Sequence, residues 1–240
     1  MTDILVSVLL PTRNRIELVH RSVQSLLSKS LNPGRVEIIT AYDEDDLASH
    51  NYFQGEQWRS LIKDFGAHSQ VCCCPTWGYY ELNRYYNAMA QQAHGQWFMI
   101  WNDDAVMLTS GWDQHVSDNQ DFMGMLHMAT ENFKPTLTLF PLVSRIWLNL
   151  FGEISHHQIT DSWIQDVCHQ ADAVREIPVS VFHDRYDVTG NNLDQTYLNR
   201  KYNKKGYNHE SMQQVRSEWA QRFRQLRKQT IACDPMPHRI

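Results

Sequence analysis

The sequence predicts an α/β fold built on a mostly parallel central sheet. Three apolar runs of strand length, ILVSVLLPT, VEIITAYD and QWFMIW, are separated by segments of helical periodicity. The first two runs and the helix between them fit within about forty residues, the signature of a βαβ unit with its right-handed crossover. Each run ends in a polar cluster: PTRNR after the first, YDEDD after the second and NDD after the third.

Taken in order, the strand ILVSVLLPT is stopped by Pro11, which cannot continue a sheet ladder. From Ile16, the apolar positions Leu18, Val19, Val23, Leu26 and Leu27 recur at helical spacing. Asn32-Pro33-Gly34 is a turn into the second strand, which finishes in an acidic loop. Residues 57–66 read as a short helix, and VCCCP as a half-buried strand. Leu82, Tyr86, Ala90 and Ala93 mark another helix, with Gly95 placed to end it. QWFMIWNDD is the next strand, which completes a doubly wound α/β half. Beyond residue 105 the pattern is less regular. FMGMLHMAT and TLTLFPLVSRIWLNLFG read as strand, turn and short helix, DSWIQDVCHQA as a helix, and IPVSVFHDR as a late strand ending at His183. The Asn-, Asp-, Gly- and Lys-rich segment 184–210 reads as a mobile loop with little core of its own. A C-terminal amphipathic helix follows, with Val215, Trp219, Arg222, Phe223 and Leu226 along one side.

With 240 residues the chain can bury a full core, and it reads as one domain, 1–210, plus a C-terminal helix and tail, 211–240. A formal net charge of −5 argues against a general nucleic-acid binder, which carries a broad basic face. The apolar stretch Ile4 to Leu10 is interrupted by Ser7 and has no basic residue before it, so neither a transmembrane segment nor a signal peptide is expected. The five cysteines, three of them consecutive at 72–74, have neither disulfide-framework nor zinc spacing. They are expected to be reduced thiols in a cytoplasmic protein.

In an open parallel sheet, ligands bind outside the carboxyl ends of the strands, at a switch point in strand order. A basic loop, an acidic loop and a carboxylate pair around one crevice suggest a nucleotide whose phosphates are bridged by a divalent metal. Neither a P-loop nor a G-x-G-x-x-G fingerprint is present.

VSVLLPTRNR, then YDEDD, then LNRYYNAMAQQAHGQWFMIWNDDAVM resemble a glycosyltransferase of the GT-A fold, family 2 type. The resemblance covers residues 4–112 and continues more loosely through LFPLVSRIWLNLFG, TDSWIQDV and VFHDR. It implies a Rossmann-like three-layer sandwich with a nucleotide-binding half, 1–112, and an acceptor half, 113–210. The activity implied is transfer of a hexose from a nucleotide-diphosphate sugar to a glycan or other hydroxyl acceptor, with inversion. Pro11, Thr12, Arg13 and Arg15 would line the nucleotide pocket with Asn83, and Asp43 would sit near the base with Asp45 close by. Asp103 would contact the ribose or the metal. Asp104 and His183 would ligate Mn²⁺ or Mg²⁺, hard cations that prefer oxygen donors and share them with phosphates. Asp161 would be the general base that activates the acceptor hydroxyl, with Asp166 in reserve, and the 184–210 loop would close over the site. On this view the Asp103-Asp104 pair is compensated by a metal and a diphosphate rather than by a basic side chain. NDD departs from the usual D-x-D, with Asn102 where an acid often stands.

Each of these residues also has a plain structural reading. Asp103-Asp104 would cap a loop, Asp161 would be an N-cap, His183 a structural histidine, YDEDD a solvated turn, and Arg13 and Arg15 surface charges. His156-His157 reads as a loop pair, and Tyr79, Tyr80, Tyr85 and Tyr86 as core or pocket wall. The C-terminal helix would pack on its own domain or pair with a second copy as a homodimer. The rival functions are a sugar nucleotidyltransferase, disfavoured because LPTRNR lacks glycine, and a transferase-like domain that binds a nucleotide or glycan without turnover.

Overall fold

A computed structural model describes residues 3–200 and 204–233. The tail of the expected 211–240 unit, and residues 201–203 of the expected loop, lie outside them. In chain order the elements are β1 (Val6–Pro11), α1 (Ile16–Lys29), β2 (Val36–Asp43), α2 (Leu47–Gln54), α3 (Glu56–Phe65), β3 (His68–Cys74), α4 (Leu82–Gln92) and β4 (Trp97–Ile100). They continue with β5 (Ala105–Met107), α5 (Trp112–Ser117), β6 (Met125–Thr130), β7 (Leu142–Ser144), α6 (Ile146–Phe151), α7 (Thr160–Gln170) and β8 (Val174–His183). Four helices close the described chain: α8 (Tyr186–Thr189), α9 (Gln195–Leu198), α10 (Lys204–Tyr207) and α11 (Glu210–Cys233).

The strands form one eight-stranded sheet in the order β3-β2-β1-β4-β7-β6-β8-β5. β1 pairs in parallel with both β2 and β4, so the chain winds outward to β3 and then returns to the other side of β1. That reversal is the switch point, and it places the carboxyl ends of β1, β2 and β4 around one crevice. β7 runs antiparallel to β4, and β5 antiparallel to β8. β1, β2 and β4 are buried along nearly their whole length, which is why they read as continuous apolar runs instead of alternating ones.

Helices cover both faces of the sheet. Val19, Val23, Leu26 and Leu27 of α1 pack with Trp58 of α3 and Trp112 of α5 on one side. Tyr86 and Met89 of α4, Trp147 of α6, Trp163 of α7, and Trp219 and Phe223 of α11 pack on the other. The apolar stripe of α11 is thus covered within the chain, Phe151 stacking on Trp219 at 4.1 Å between centroids. Arg224 and Arg227 donate to the last carbonyls of α7 and the residues after it, a favourable place for cations. The stripe that suggested pairing with a second copy is occupied inside one subunit. No described helix is long and apolar enough to cross a membrane.

Several local expectations are revised. Gly95 does not terminate α4, which ends at Gln92 with extended Ala93 as its cap. It is required by close packing: a Cβ there would sit 2.5 Å from the Ser7 backbone nitrogen. α2 and α5 fall in stretches where no helix is expected. The 184–210 segment carries short helices instead of an irregular loop. Cys72 and Cys74 are buried and Cys73 exposed, the alternation of a half-buried strand, and all three are free thiols with Cys168.

At the opposite end of the sheet from the crevice, the Glu37 carboxylate is buried between β1 and β3. It accepts from Ser7 Oγ at 2.6 Å, Gln70 Nε2 at 2.6 Å, His94 N at 2.9 Å and His94 Nδ1 at 2.8 Å. Burial opposes its charge, but these donors outweigh burial and hold the carboxyl below the usual glutamate range. A depressed pKa contributes stability above the unfolded value, lost as pH falls through the folded one. Glu37→Gln is therefore expected to cost about 1–3 kcal/mol at neutral pH, in urea denaturation. The gap from wild type should narrow as pH falls below the ordinary glutamate range.

Candidate active site

The crevice opens into a cavity of about 360 Å³ at the carboxyl ends of β1, β2 and β4. Pro11, Thr12, Arg13, Arg15, Asp43, Asp103, Asp104 and His183 line it, so eight of the expected site residues meet at one place.

The β1–α1 turn is shaped by Asn14, whose φ of 53° lies in the left-handed region that asparagine tolerates. Its backbone N–H donates to Asp46 Oδ2 at 2.7 Å, and Asp46 also caps α2 through Ser49 N. One carboxylate thus ties the β1 loop to the β2 loop. Arg13 spans the same gap, bonding Asp43 at 2.6 Å and Asp45 at 2.5 and 2.9 Å. Asp45 stands behind Arg13 and outside the cavity wall, where Thr76 also donates to it at 3.0 Å. Asp43 is buried and its other oxygen accepts from the Tyr85 hydroxyl.

Asp103 and Asp104 follow β4, and β1–β4 pairing brings Thr12 beside Asp103, with Oγ1 donating at 2.8 Å. The β5–β8 register sets Ala105 opposite His183, which aligns the preceding Asp104 with the His183 ring. Asp104 Oδ1 lies 2.8 Å from His183 Nε2, with both side chains buried. His183 Nδ1 is buried with no hydrogen-bond partner, while Nε2 donates to Asp104.

Arg15 corrects the expectation about the acidic pair. Its guanidinium is buried, 3.1 Å from Asp103 and 3.8 Å from Asp104, so a basic side chain does compensate these carboxylates. Burial pushes the Asp103 carboxyl up, with Arg15 opposing it. Burial acts on Asp104 most strongly, but the His183 bond together with the charges of His183, Arg15 and Arg185 outweighs it, and the carboxyl lies below its usual range.

Asp161 stands in the first turn of α7, where Ile159 and not Asp161 is the N-cap. The backbone amides of Ser162 and of Asp161 itself lie near its carboxylate and favour its charge. Burial raises its pKa, while Arg185 and His183 are near enough to pull it back. It is not part of the cavity wall. Asp166 points elsewhere: it accepts from the Tyr207 hydroxyl at 2.5 Å and faces Arg216 at 3.5 Å, anchoring α10 and α11 on α7. Asn83 also lies off the cavity wall, donating to the Ser155 carbonyl at 3.3 Å.

The 184–210 segment, expected to close over the site, supplies the far wall of the cavity through residues that the sequence did not single out: Arg185, Thr196, Tyr197, Asn199 and Arg200. The segment carrying them is pinned at its base by Asp184, whose side chain accepts from Arg21 at 2.9 Å, Thr189 at 3.0 Å and Asn191 at 2.9 Å. Arg185 and Arg200 converge on Asp187 at 2.5 and 3.3 Å. The two basic residues in an otherwise loop-like stretch were the available signal.

Among the described residues there is no group of three or more His, Cys, Asp or Glu side chains that could hold a metal ion. Asp104 and His183 form two-thirds of such a group, one oxygen and one nitrogen donor at one point. That suits a cation which takes its remaining ligands from phosphate and water. Binding at Nε2 would move the proton to Nδ1, which has no acceptor here.

Solved structures with this architecture share little sequence with it. S. aureus TarS 1-349 in complex with UDP superposes with a TM-score of 0.57 at 14% identity, over 77% of this chain and 63% of that one. The mannosyltransferase PcManGT from Pyrobaculum calidifontis, in complex with GDP-Man and Mn²⁺, does so with a TM-score of 0.57 at 11% identity, over 98% of this chain and 77% of that one. TarS 1-349 in complex with UDP-GlcNAc gives 0.56 at 11% identity, over 80% and 62%. The chain thus spans under two-thirds of the length of the TarS chain in its UDP complexes, 63% and 62%. No protein-family model and no curated protein sequence matches it. The fold is the GT-A glycosyltransferase fold, a Rossmann-like sandwich around a mostly parallel sheet.

Proposed function

We propose that this protein is an inverting glycosyltransferase that moves a sugar from a nucleotide-diphosphate donor to an acceptor hydroxyl. The observation that carries the reading is the meeting of Arg13, Asp43, Asp103, Asp104 and His183 in one cavity at the switch point. Asp43, poised at the end of β2, would accept from the base. Arg15, Arg185 and Arg200 surround the place where a diphosphate's charge would lie.

Asp161 would take the acceptor hydroxyl proton as its oxygen attacks the anomeric carbon from the side opposite the diphosphate. The bond from that carbon to the diphosphate oxygen breaks, and both electrons leave with the diphosphate. Asp104 and His183 would hold Mn²⁺ or Mg²⁺, which when bound supplies Lewis-acid stabilisation of the leaving group. The reduced thiols fit a cytoplasmic enzyme.

Calorimetric titration of UDP and GDP, with and without Mn²⁺, is the direct test. At least one is expected to bind with a Kd in the micromolar range, about 1–100 μM. No binding of either would remove the donor reading. A donor-hydrolysis assay over a panel of nucleotide sugars then separates a transferase from a domain that only binds, because release of free sugar requires turnover.

A further inference from the structure

Behind Arg15 of the cavity wall stands a carboxylate, Asp194, that the reaction above does not use. Asp194 lies at the start of α9 and grips Arg15 in a two-point fork, Oδ2 to Nε at 2.7 Å and Oδ1 to Nη2 at 2.8 Å. The remaining nitrogen, Nη1, is taken by Asp103 at 3.1 Å. Every nitrogen of the Arg15 guanidinium therefore already faces a carboxylate. The fork is the geometry in which arginine also takes a phosphate.

The surroundings make this contact exchangeable. Asp104 repels Asp194 while Arg15 attracts it. Besides the fork, the 194–200 stretch is held by Thr196 Oγ1 donating to the Arg13 carbonyl at 3.0 Å, by Arg200 on Asp187 at 3.3 Å and by the Tyr197 ring set edge-on to Tyr186, the last two on the hub side of the stretch. Leu193 and Leu198 are 53% and 61% exposed, so this stretch buries little apolar surface. Its base is fixed by the Asp184 hub. Between hub and fork lie Gly190 and Asn192, at φ 79° and 61°, two residue types that tolerate the left-handed region.

We infer that Asp194 is an internal phosphate mimic, a latch that closes the 194–200 flap over the pocket by occupying Arg15 until a donor diphosphate displaces it. The inference rests on the donor reading. It adds that the empty pocket is self-closed, and that the donor releases the flap by taking its anchor. A diphosphate carries more charge than one carboxylate and can use the same fork, so the exchange favours the ligand. The affinity measured for the donor is then lowered by the fraction of molecules that are latched.

Asp194→Asn is the informative variant, because asparagine still caps α9 while losing the charge that holds Arg15. UDP or GDP, whichever binds wild type, should bind the variant about five- to tenfold more tightly in calorimetry. Hydrogen exchange over 194–200 should be faster in the unliganded variant than in unliganded wild type. In wild type itself, saturating nucleotide should also speed exchange over 194–200, an arm that needs no variant. Equal or weaker nucleotide binding by Asp194→Asn, or exchange in wild type that slows or stays unchanged on binding, overturns the latch and leaves the donor reading standing. No binding of UDP, GDP or pyrophosphate to either protein overturns the donor reading, and the latch with it.

Discussion

Asp161→Asn is expected to lower sugar transfer by about a hundred- to ten-thousandfold, the range for removing a general base. Binding of the nucleoside diphosphate should be unchanged. The separation follows from position: Asp161 is on α7, off the cavity wall, yet close enough for His183 and Arg185 to act on its charge. A hydroxyl attacking an anomeric carbon must shed its proton near the transition state. The best acceptor is a carboxylate whose pKa is raised toward the working pH. Burial raises it here, and the first-turn amides, Arg185 and His183 leave a net upward shift. The base works deprotonated, so turnover should fall as pH drops through this raised value, and that acidic limb should vanish in the residual activity of Asp161→Asn. Asparagine still offers an oxygen to the first-turn amides, so a purely structural Asp161 predicts near-normal turnover in this variant. Retained turnover in a coupled assay for released nucleoside diphosphate would remove Asp161 as the base.

The parts of this molecule that were legible in its sequence are those held together by apolar burial. β1, β2 and β4 are buried runs, α1 and α4 carry clear apolar stripes, and their polar ends had to meet once the sheet was parallel. α2 and α5 escaped because neither has enough periodic apolar positions; α5 is only six residues long. The contact between Asp104 and His183 depends on the register of a three-residue strand, β5, too short to recognise in the sequence alone. The flap was least legible of all. Asp184, Thr189, Asn191 and Asn192 organise it through side-chain hydrogen bonds, which leave no periodicity. The same composition without those partners would be an irregular loop. Arg15 was assigned to the nucleotide and the acidic pair to a metal. Their pairing with each other, and with Asp194 from 179 positions away, is a product of tertiary structure.

Asp104→Ala is expected to abolish the enhancement of nucleotide binding by Mn²⁺, with a loss larger than the roughly ten- to hundredfold that follows removal of a mere supporting residue. Binding without metal should change little, because Arg13 and Asp43, which bond each other and not Asp104, are untouched. His183→Ala should act in the same direction, since its Nε2 and Asp104 Oδ1 point at one another across 2.8 Å. If they hold one ion, removing either empties the site. The double variant should then bind nucleotide in Mn²⁺ no more weakly than either single one, an interaction as large as the single effect. The unpartnered Nδ1 also limits the site: the ion must displace the Nε2 proton and leave an N–H with no acceptor. An acceptor introduced beside Nδ1 should therefore strengthen Mn²⁺ binding. If the two substitutions instead weaken Mn²⁺-dependent binding by independent factors that multiply, Asp104 and His183 do not share an ion. If nucleotide binding is equal with and without Mn²⁺ in every variant, the charge of the diphosphate is met by the arginines around the cavity, and Arg15 is the first of them to test.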